Sequence, residues 1–333
     1  MFKKILPLVL AVALVVPGGA SAQSKPVVKL GFAKCAHCLP MALTPGLATD
    51  ATIEANAFNS GNDVLTALVS KSIDVAQVTY LHYVTALDKG FDVVAIAGQV
   101  NGGSEMLTAR GIDLKADDWD GLRKLIAEYK AQGKPFRVAA SRGNAQDIHM
   151  RGELMRNGIN PNRDIQFVNI PNPSDHAAAL QRGEVEMICS VEPFASQIRI
   201  SGVGKTFTLP YNQAAGNLTN LIVTRSDVIK RDPKGVQATV GAVVKLVDRL
   251  KADRKAWVEV INKYTAMDAA VASEALKNAF PDYAMHRKQA QAIAVMMKDL
   301  KYVQRDVSAD VDAHMDYGFL AAVTGKPKTE LGY

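Results

Sequence analysis

Residues 61–87 read GNDVLTALVSKSIDVAQVTYLHYVTAL, and the hydrophobic period changes partway along them. Gly61-Asn62-Asp63 opens a helix, and Val64, Leu65, Leu68 and Val69 then share one helical face. Asp74-Val75-Ala76-Gln77-Val78 follows as a short run suited to a buried strand. A helix folded back onto a buried strand is the unit from which layered α/β lobes are built.

The same alternation continues on both sides. KPVVKLGFA (25–33), ATIEANAFN (51–59) and DVVAIAGQV (92–100) read as strands. A second set starts near residue 120. GLRKLIAEYKAQG is an amphipathic helix closed by Gly133, FRVAAS (136–141) is a strand, and AQDIHMRGELMRNG is a helix stopped by Gly158. DIQFVNI (164–170) and VEMICSV (185–191) are further strands, and between them lies SDHAAALQRGE, a helix with Ser174 as its N-cap. From about residue 226 the pattern is helical. Pro233 suits a first turn, and Val236, Val240, Val243, Val244, Val247 and Leu250 form a stripe that Trp257, Val258, Ile261 and Tyr264 continue in the next helix. No internal repeat stands out. The expected fold is α/β with two lobes and mostly parallel sheets.

Composition agrees with a globular protein: 48% of residues are hydrophobic and 22% charged. The first 22 residues read as a secretion signal, with Lys3 and Lys4, the apolar run ILPLVLAVALVV, the breakers Pro17, Gly18 and Gly19, and Ala20-Ser21-Ala22 before a cut at Gln23. No cysteine follows that cut, so lipid anchoring is not expected, and the mature protein should be periplasmic. Loss of Lys3 and Lys4 takes the formal charge from +6 to +4. The basic residues form no block. DRLKADRK (248–255) interleaves both signs as a solvated helix face, so nucleic-acid binding is not expected. There is no G-x-S-x-G, P-loop or H-E-x-x-H motif, and the chain is expected not to be an enzyme.

The opening stretch resembles the first-lobe segment of the solute-binding proteins for nitrate, sulfonate, taurine and thiamine-precursor pyrimidines, which serve ABC importers. That family has a Gly-led helix, a Gly-x-Ile-Asp turn, a buried strand and a ligand-facing loop; here the turn is Lys71-Ser72-Ile73-Asp74. RVAASRGNAQDIHMRGELMRNGINPNRDIQFVNI and ALQRGEVEMICSVEPFASQI resemble its second-lobe segments. The resemblance spans residues 26–225. It implies a type II periplasmic-binding-protein fold with hinged lobes: 23–107 and 219–333 in lobe 1 with the C-terminal helices, and 108–218 in lobe 2. It also implies capture of a small solute by lobe closure and delivery to an inner-membrane permease with its cytoplasmic ATPase. A monomer is expected.

Ligands of such folds sit where loops leave strand ends and helices begin. That rule selects Lys34, Cys35, His37 and Cys38 after the first strand, Asn62 at a helix start, and Tyr80 and His82 after the 74–78 strand. In the second lobe it selects Ser141, Gly143 and Asn144, then Cys189 and Glu192. Ser141, Gly143 and Asn144 could present helix-start amides to an anion. Tyr80 and Tyr211 could stack on an aromatic ring or line the hinge. Glu192 could accept from a pyrimidine N–H or pair with Arg199. His149 falls inside a helix and reads as core or as support for a ligand.

Cys-Ala-His-Cys at 35–38 is not part of the family pattern. A disulfide, a soft-metal site and plain packing remain open for it. The metal set would be Cys35, His37, Cys38 and Cys189, suiting a Cu- or Zn-type ion. A sulfonate, a nitrate-like anion or a pyrimidine or aromatic compound is the expected cargo, with no cofactor. The alternatives are a periplasmic soft-metal binder and a pyrimidine-synthase-like enzyme on the same fold.

Overall fold

A computed structural model describes Met1 and residues 24–333; the signal reading of residues 1–22 and its cut before Gln23 lie outside the described residues. The chain begins with β1 (Val27–Ala33) and β2 (Thr52–Phe58), paired in parallel with Val27 opposite Thr52. α1 (Gly61–Val69) leads to β3 (Val75–Thr79), which pairs in parallel with β1. α2 (Tyr80–Asp88) leads to β4 (Val93–Gly98). β5 (Val100–Gly102) and β6 (Ser104–Ala109) then carry the chain across to the second lobe.

There α3 (Trp119–Ala131), β7 (Arg137–Ala140), α4 (Ala145–Arg156), β8 (Gln166–Asn169), α5 (His176–Gln181), β9 (Met187–Val191), α6 (Phe194–Ile200) and β10 (Gly204–Thr208) follow in turn. β11 (Asn220–Arg225) returns to the first lobe. α7 (Ser226–Arg231), α8 (Pro233–Ala252), α9 (Lys255–Thr265), α10 (Ala269–Ala275), β12 (Ala279–Pro281), α11 (Arg287–Asp299), α12 (Ser308–Ala313) and α13 (Gly318–Thr324) complete the chain. No helix among the described residues is long and apolar enough to cross a membrane.

The first sheet runs β2-β1-β3-β11-β4 and the second runs β8-β7-β9-β6-β10. The two orders are the same: three strands from one βαβαβ run, then a strand from the opposite crossing, then an edge strand. The lobes therefore share a topology that no sequence repeat betrays. Each sheet is mixed rather than mostly parallel. β11 is antiparallel to β3 and β4, and β6 is antiparallel to β9 and β10. β6 and β11 are the segments that enter each sheet from the other lobe, and they run opposite to its parallel strands. The expected boundary at 107/108 cuts through β6, whose pairing lies wholly in the second sheet.

The core follows from period-2 patterning. In the second lobe Val138, Ala140, Met187 and Cys189 pack on one face of the sheet, and Ala139 and Ile188 on the other. The first lobe buries β1, β3, β4 and β11 under α1, α2 and α8. The α8 stripe from Val236 to Leu250 is buried as expected, with Pro233 in the first turn and Asp232 capping the Gly235 amide at 2.9 Å. Ser174 lies in a 3-10 turn (Pro173–Asp175) ahead of α5 and does not cap it.

Two crossings and the small β5–β12 sheet join the lobes. The hydroxyl of Tyr211 accepts from the Ser104 amide at 2.9 Å and lies 2.7 Å from Asn278 Oδ1. His149 Nε2 lies 2.9 Å from the Leu218 carbonyl, and Nδ1 lies 2.9 Å from Ser104 Oγ. Tyr211 and His149 thus both bond at the crossing between the lobes.

Candidate functional site

β1, β2 and β3 are parallel, so their C-terminal ends lie on one edge of the first sheet; β7, β8 and β9 do the same in the second. A cavity of about 410 Å³ opens between those edges. Its walls come from Lys34, Cys35, His37 and Cys38 after β1, Asn59–Gly61 after β2, and Gln77–Thr79 on β3. The second lobe adds Asn144–Gln146 after β7, Pro171–Ser174 after β8, and Val191 and Phe194 around the end of β9; Tyr264 and Thr265 close it from α9.

Three helix N-termini meet here. At α1 the Ser60 side chain accepts from the Asp63 amide, and Asp63 accepts from the Ser60 amide. At α2 Thr79 accepts from the His82 amide, and the Thr79 amide donates to His82 Nδ1 at 3.2 Å. Because that amide can only donate, Nδ1 accepts, and the Nε2–H is left to donate to Asn62 Oδ1 at 3.1 Å. Burial pushes the His82 pKa down to about 4, so the ring stays neutral. At α4 Asn144 is the N-cap without a side-chain cap bond, while Asp147 accepts from the Gly143 amide at 3.1 Å. Among the described residues, the amides of Gly61, Asn62, Ala145 and Gln146 have no partner within the protein.

Among the described residues, Lys34 is the single charged side chain on the cavity wall, and it donates to Asn59 Oδ1 at 3.1 Å. Among the described residues no carboxylate lines the space. Gln77, Asn144, Gln146 and Asn172 supply neutral polar groups, and Val78, Pro171, Val191, Phe194 and Tyr264 supply apolar wall.

Cys35 and Cys38 form a disulfide, with Cα atoms 5.0 Å apart. The bridge occupies two of the three thiolates of the expected four-ligand metal set. Cys189, the fourth member, is fully buried in the second-lobe core, where burial raises its thiol pKa. It faces Met106 and Val138 packing and lines no part of the cavity. His37 is buried beside the disulfide, and its pKa is pushed down to about 3, chiefly by burial.

Of the other expected contacts, Lys34, Cys35, His37, Cys38 and Asn144 line the cavity. Asn62 and His82 stand behind it as the mutual support of two helix starts. Gly143 faces Asn62 across the lobes. Tyr80 turns away and donates to the Met285 carbonyl at 2.7 Å. Ser141 is buried against His176 Nε2, 3.4 Å away. Glu192 also points away from the cavity: it accepts from the Ser196 amide at 3.0 Å and lies 3.5 Å from Arg199, the structural pairing. Desolvation, then repulsion from Glu105, raises the Glu192 pKa to about 7.

Gln77, Gln146, Phe194, Tyr264 and the Pro171–Ser174 loop were not singled out from sequence. Gln77 carried a signal, as a polar amide in the middle of the buried run VAQVT. Tyr264 carried none, because it falls on an apolar helical stripe.

The NMT1-like family matches residues 21–264. The nitrate/nitrite binding protein NrtA of Synechococcus elongatus is 29% identical over 123 residues, covering 37% of this chain and 28% of that protein, so the match spans well under half of the relative. The periplasmic nitrate-binding protein NrtA of Synechocystis superposes with a TM-score of 0.77 at 16% identity, over 92% of this chain and 91% of that one. The alkanesulfonate-binding protein SsuA of Xanthomonas axonopodis pv. citri, bound to MOPS, gives 0.72 at 17% identity, over 89% of this chain and all of that one. The two-lobed binding-protein fold expected from the sequence is the fold these neighbours share.

Proposed function

The chain belongs to the NMT1-like family, and from that premise we propose that it is the extracytoplasmic binding component of an ABC importer whose cargo is a small organic monoanion of the sulfonate type. It binds and releases that cargo unchanged. A membrane permease with its ATPase receives it, and the chain acts as a periplasmic monomer.

One observation carries the cargo class. Among the described residues, unpartnered amides at the starts of α1 and α4 line or adjoin a cavity whose single charged wall residue is Lys34. Helix N-termini favour negative charge, and the lysine supplies the counter-ion. Neither a cation nor a group needing a carboxylate acceptor finds its partner there. A bare inorganic oxyanion would leave the apolar wall around Val78, Val191 and Phe194 unfilled; an organic tail fills it. The oxyanion head belongs at the helix starts and Lys34, the tail against Phe194 and Tyr264.

Capture follows from where these groups sit. α1 belongs to one lobe and α4 to the other, so an anion bound by both is held only when the lobes are closed. Its extra contacts in the closed state shift the population toward closure. Closure also seats the Gly61 backbone against Asn144, where a Cβ would come 3.2 Å from Asn144 Oδ1.

Thermal unfolding with an alkanesulfonate, an aromatic carboxylate, nitrate, a pyrimidine and an alkylammonium tests the reading. The alkanesulfonate is expected to raise the Tm, since ligand at about 100 times Kd adds about 2.7 kcal/mol. Nitrate should act more weakly and the alkylammonium not at all. Stabilisation by the cation or the neutral pyrimidine, without stabilisation by any organic anion, overturns it.

A further inference from the structure

The loop Cys35-Ala36-His37-Cys38 contributes three wall residues whose chemistry anion capture leaves unused. Both Sγ atoms and one imidazole nitrogen of His37 lie within 4.8 Å of one another. His37 is 2% exposed, and its Nδ1 has no partner among the described residues. An orphaned buried polar atom is uncommon and calls for an explanation. The ring also lies close against Gly103, where a Cβ would come 2.4 Å from Nδ1, so nothing but a glycine there leaves it room.

The loop is preshaped as a chelate. Two residues separate the cysteines, the spacing of Cys-x-x-Cys metal sites. The amides of Cys38 and Leu39 both donate to the Cys35 carbonyl at 2.9 Å. Trp257 donates to the Ala36 carbonyl, Asn220 to the His37 carbonyl, and Ala36 to the Glu192 carbonyl. With its backbone bonded from both lobes, the loop keeps the two sulfurs adjacent once their bond is cut.

We infer that this loop is a redox-gated site for a thiophilic divalent ion of the Zn2+ class, closed while Cys35 and Cys38 are bridged and formed by Cys35, His37 and Cys38 when they are reduced. An external dithiol supplies two electrons and two protons: the Cys35–Cys38 bond breaks to two thiols, and the dithiol becomes its own disulfide. Binding of the ion then releases both thiol protons. Two thiolates and a neutral imidazole are three tetrahedral ligands, and the fourth position opens to the cavity for water or an anion. The ion's two charges cancel those of the thiolates, so Lys34 still sets the cavity's net charge. Cys189 takes no part. The inference stands apart from the anion reading, because its probe is the ion and its subject the reduced chain.

The test is anaerobic titration of the full chain with Zn2+ against a chromophoric chelator, before and after reduction, with Co2+ as a spectroscopic substitute. The reduced chain should take one Zn2+ and develop a thiolate-to-Co2+ charge-transfer band; the oxidised chain should do neither. His37→Ala should weaken Zn2+ by about tenfold or more, the loss known even for groups that merely support a ligand. Equal binding by oxidised and reduced chains, no binding by the reduced chain, or unchanged affinity in His37→Ala overturns the inference. Circular dichroism accompanies each titration, and a reduced chain that unfolds and does not refold on adding Zn2+ overturns it as well. Protection of Cys35 and Cys38 from alkylation by Zn2+, read by mass spectrometry, gives an independent second measurement.

Discussion

The indole N–H of Trp257 donates to the carbonyl oxygen of Ala36 at 2.6 Å, and both residues are fully buried. Ala36 in turn donates its own amide to the Glu192 carbonyl at 2.9 Å. α9 of the first lobe and the end of β9 in the second therefore grip the same residue of the cavity loop. Opening the lobes has to break the second bond while the first keeps the loop on its own lobe. Under the proposed capture by closure, the first lobe, which also carries Lys34, is the platform that meets ligand first.

Trp257→Phe keeps the packing and removes the donor. The buried Ala36 carbonyl is then left unpaired, which costs about 1–3 kcal/mol. Chemical denaturation should show a loss of that size, together with weaker binding of the cargo anion. Wild-type stability in the variant would mean that the loop is held by the disulfide alone.

Lys34→Gln removes the charge that Lys34 places on the wall and keeps a polar side chain of similar reach. A hydrogen bond to a charged group is worth about 1.5–3 kcal/mol, so anion affinity should fall by about tenfold or more. Its dependence on ionic strength should flatten at the same time. Calorimetry at two salt concentrations reads both effects, and unchanged affinity would put the anion elsewhere in the cleft.

Much of this site was legible because strand ends are legible. β1, β3, β7 and β9 announce themselves as short buried runs, and the rule that ligands sit beyond parallel strand ends then picks out Lys34 and Asn144, which line the cavity. The same rule is blind to side-chain direction. Tyr80 follows Thr79 directly, yet it points into the first-lobe core, and Cys189 alternates to the inner face of β9. β6 was missed because Ser104, Glu105 and Thr108 look polar, and only the fold reveals that Arg199 and Thr206 bond Glu105 inside. Tyr264 was read as core because an apolar stripe does not say which of its members meets a cavity.

Gly61→Ala tests the close approach at the α1 start. A Cβ there would come 2.4 Å from His82 Cε1, and that ring is fixed by Thr79 on one side and Asn62 on the other. Overpacking of this kind costs about 1–3 kcal/mol. Because the strain falls where α1 faces Asn144, closure should suffer with it, and anion affinity should drop along with Tm. Full affinity in a destabilised variant would place the bound anion away from α1.

Thiol titration of the unreduced, denatured chain should find one free cysteine, Cys189, because Cys35 and Cys38 are bridged. In the native chain that thiol should react slowly, since it is fully buried and its thiolate is disfavoured. Three fast thiols in the native chain would contradict both the bridge and the burial.

Acid should unfold the chain in a defined window. His82, His149 and His176 are buried and neutral, each with its pKa lowered from 6.5 to about 4 by desolvation. Unfolding frees them to take protons, so the unfolded state binds more protons between those values, and stability falls as pH drops from about 6.5 to about 4. Glu192 works in the opposite sense: its pKa is raised from 4.5 to about 7, so its share of stability is full below 4.5 and is lost as pH rises through 7. Three histidines outweigh one carboxyl up to about pH 7, so stability climbs to a plateau near neutral pH, and Glu192 makes that climb shallower. Glu192→Gln should remove the opposition and steepen the climb between about pH 4.5 and 7, with the acid limb left in place, as measured by Tm from pH 4 to 8. A variant whose profile matches the wild type throughout would show that Glu192 holds no proton in the folded chain.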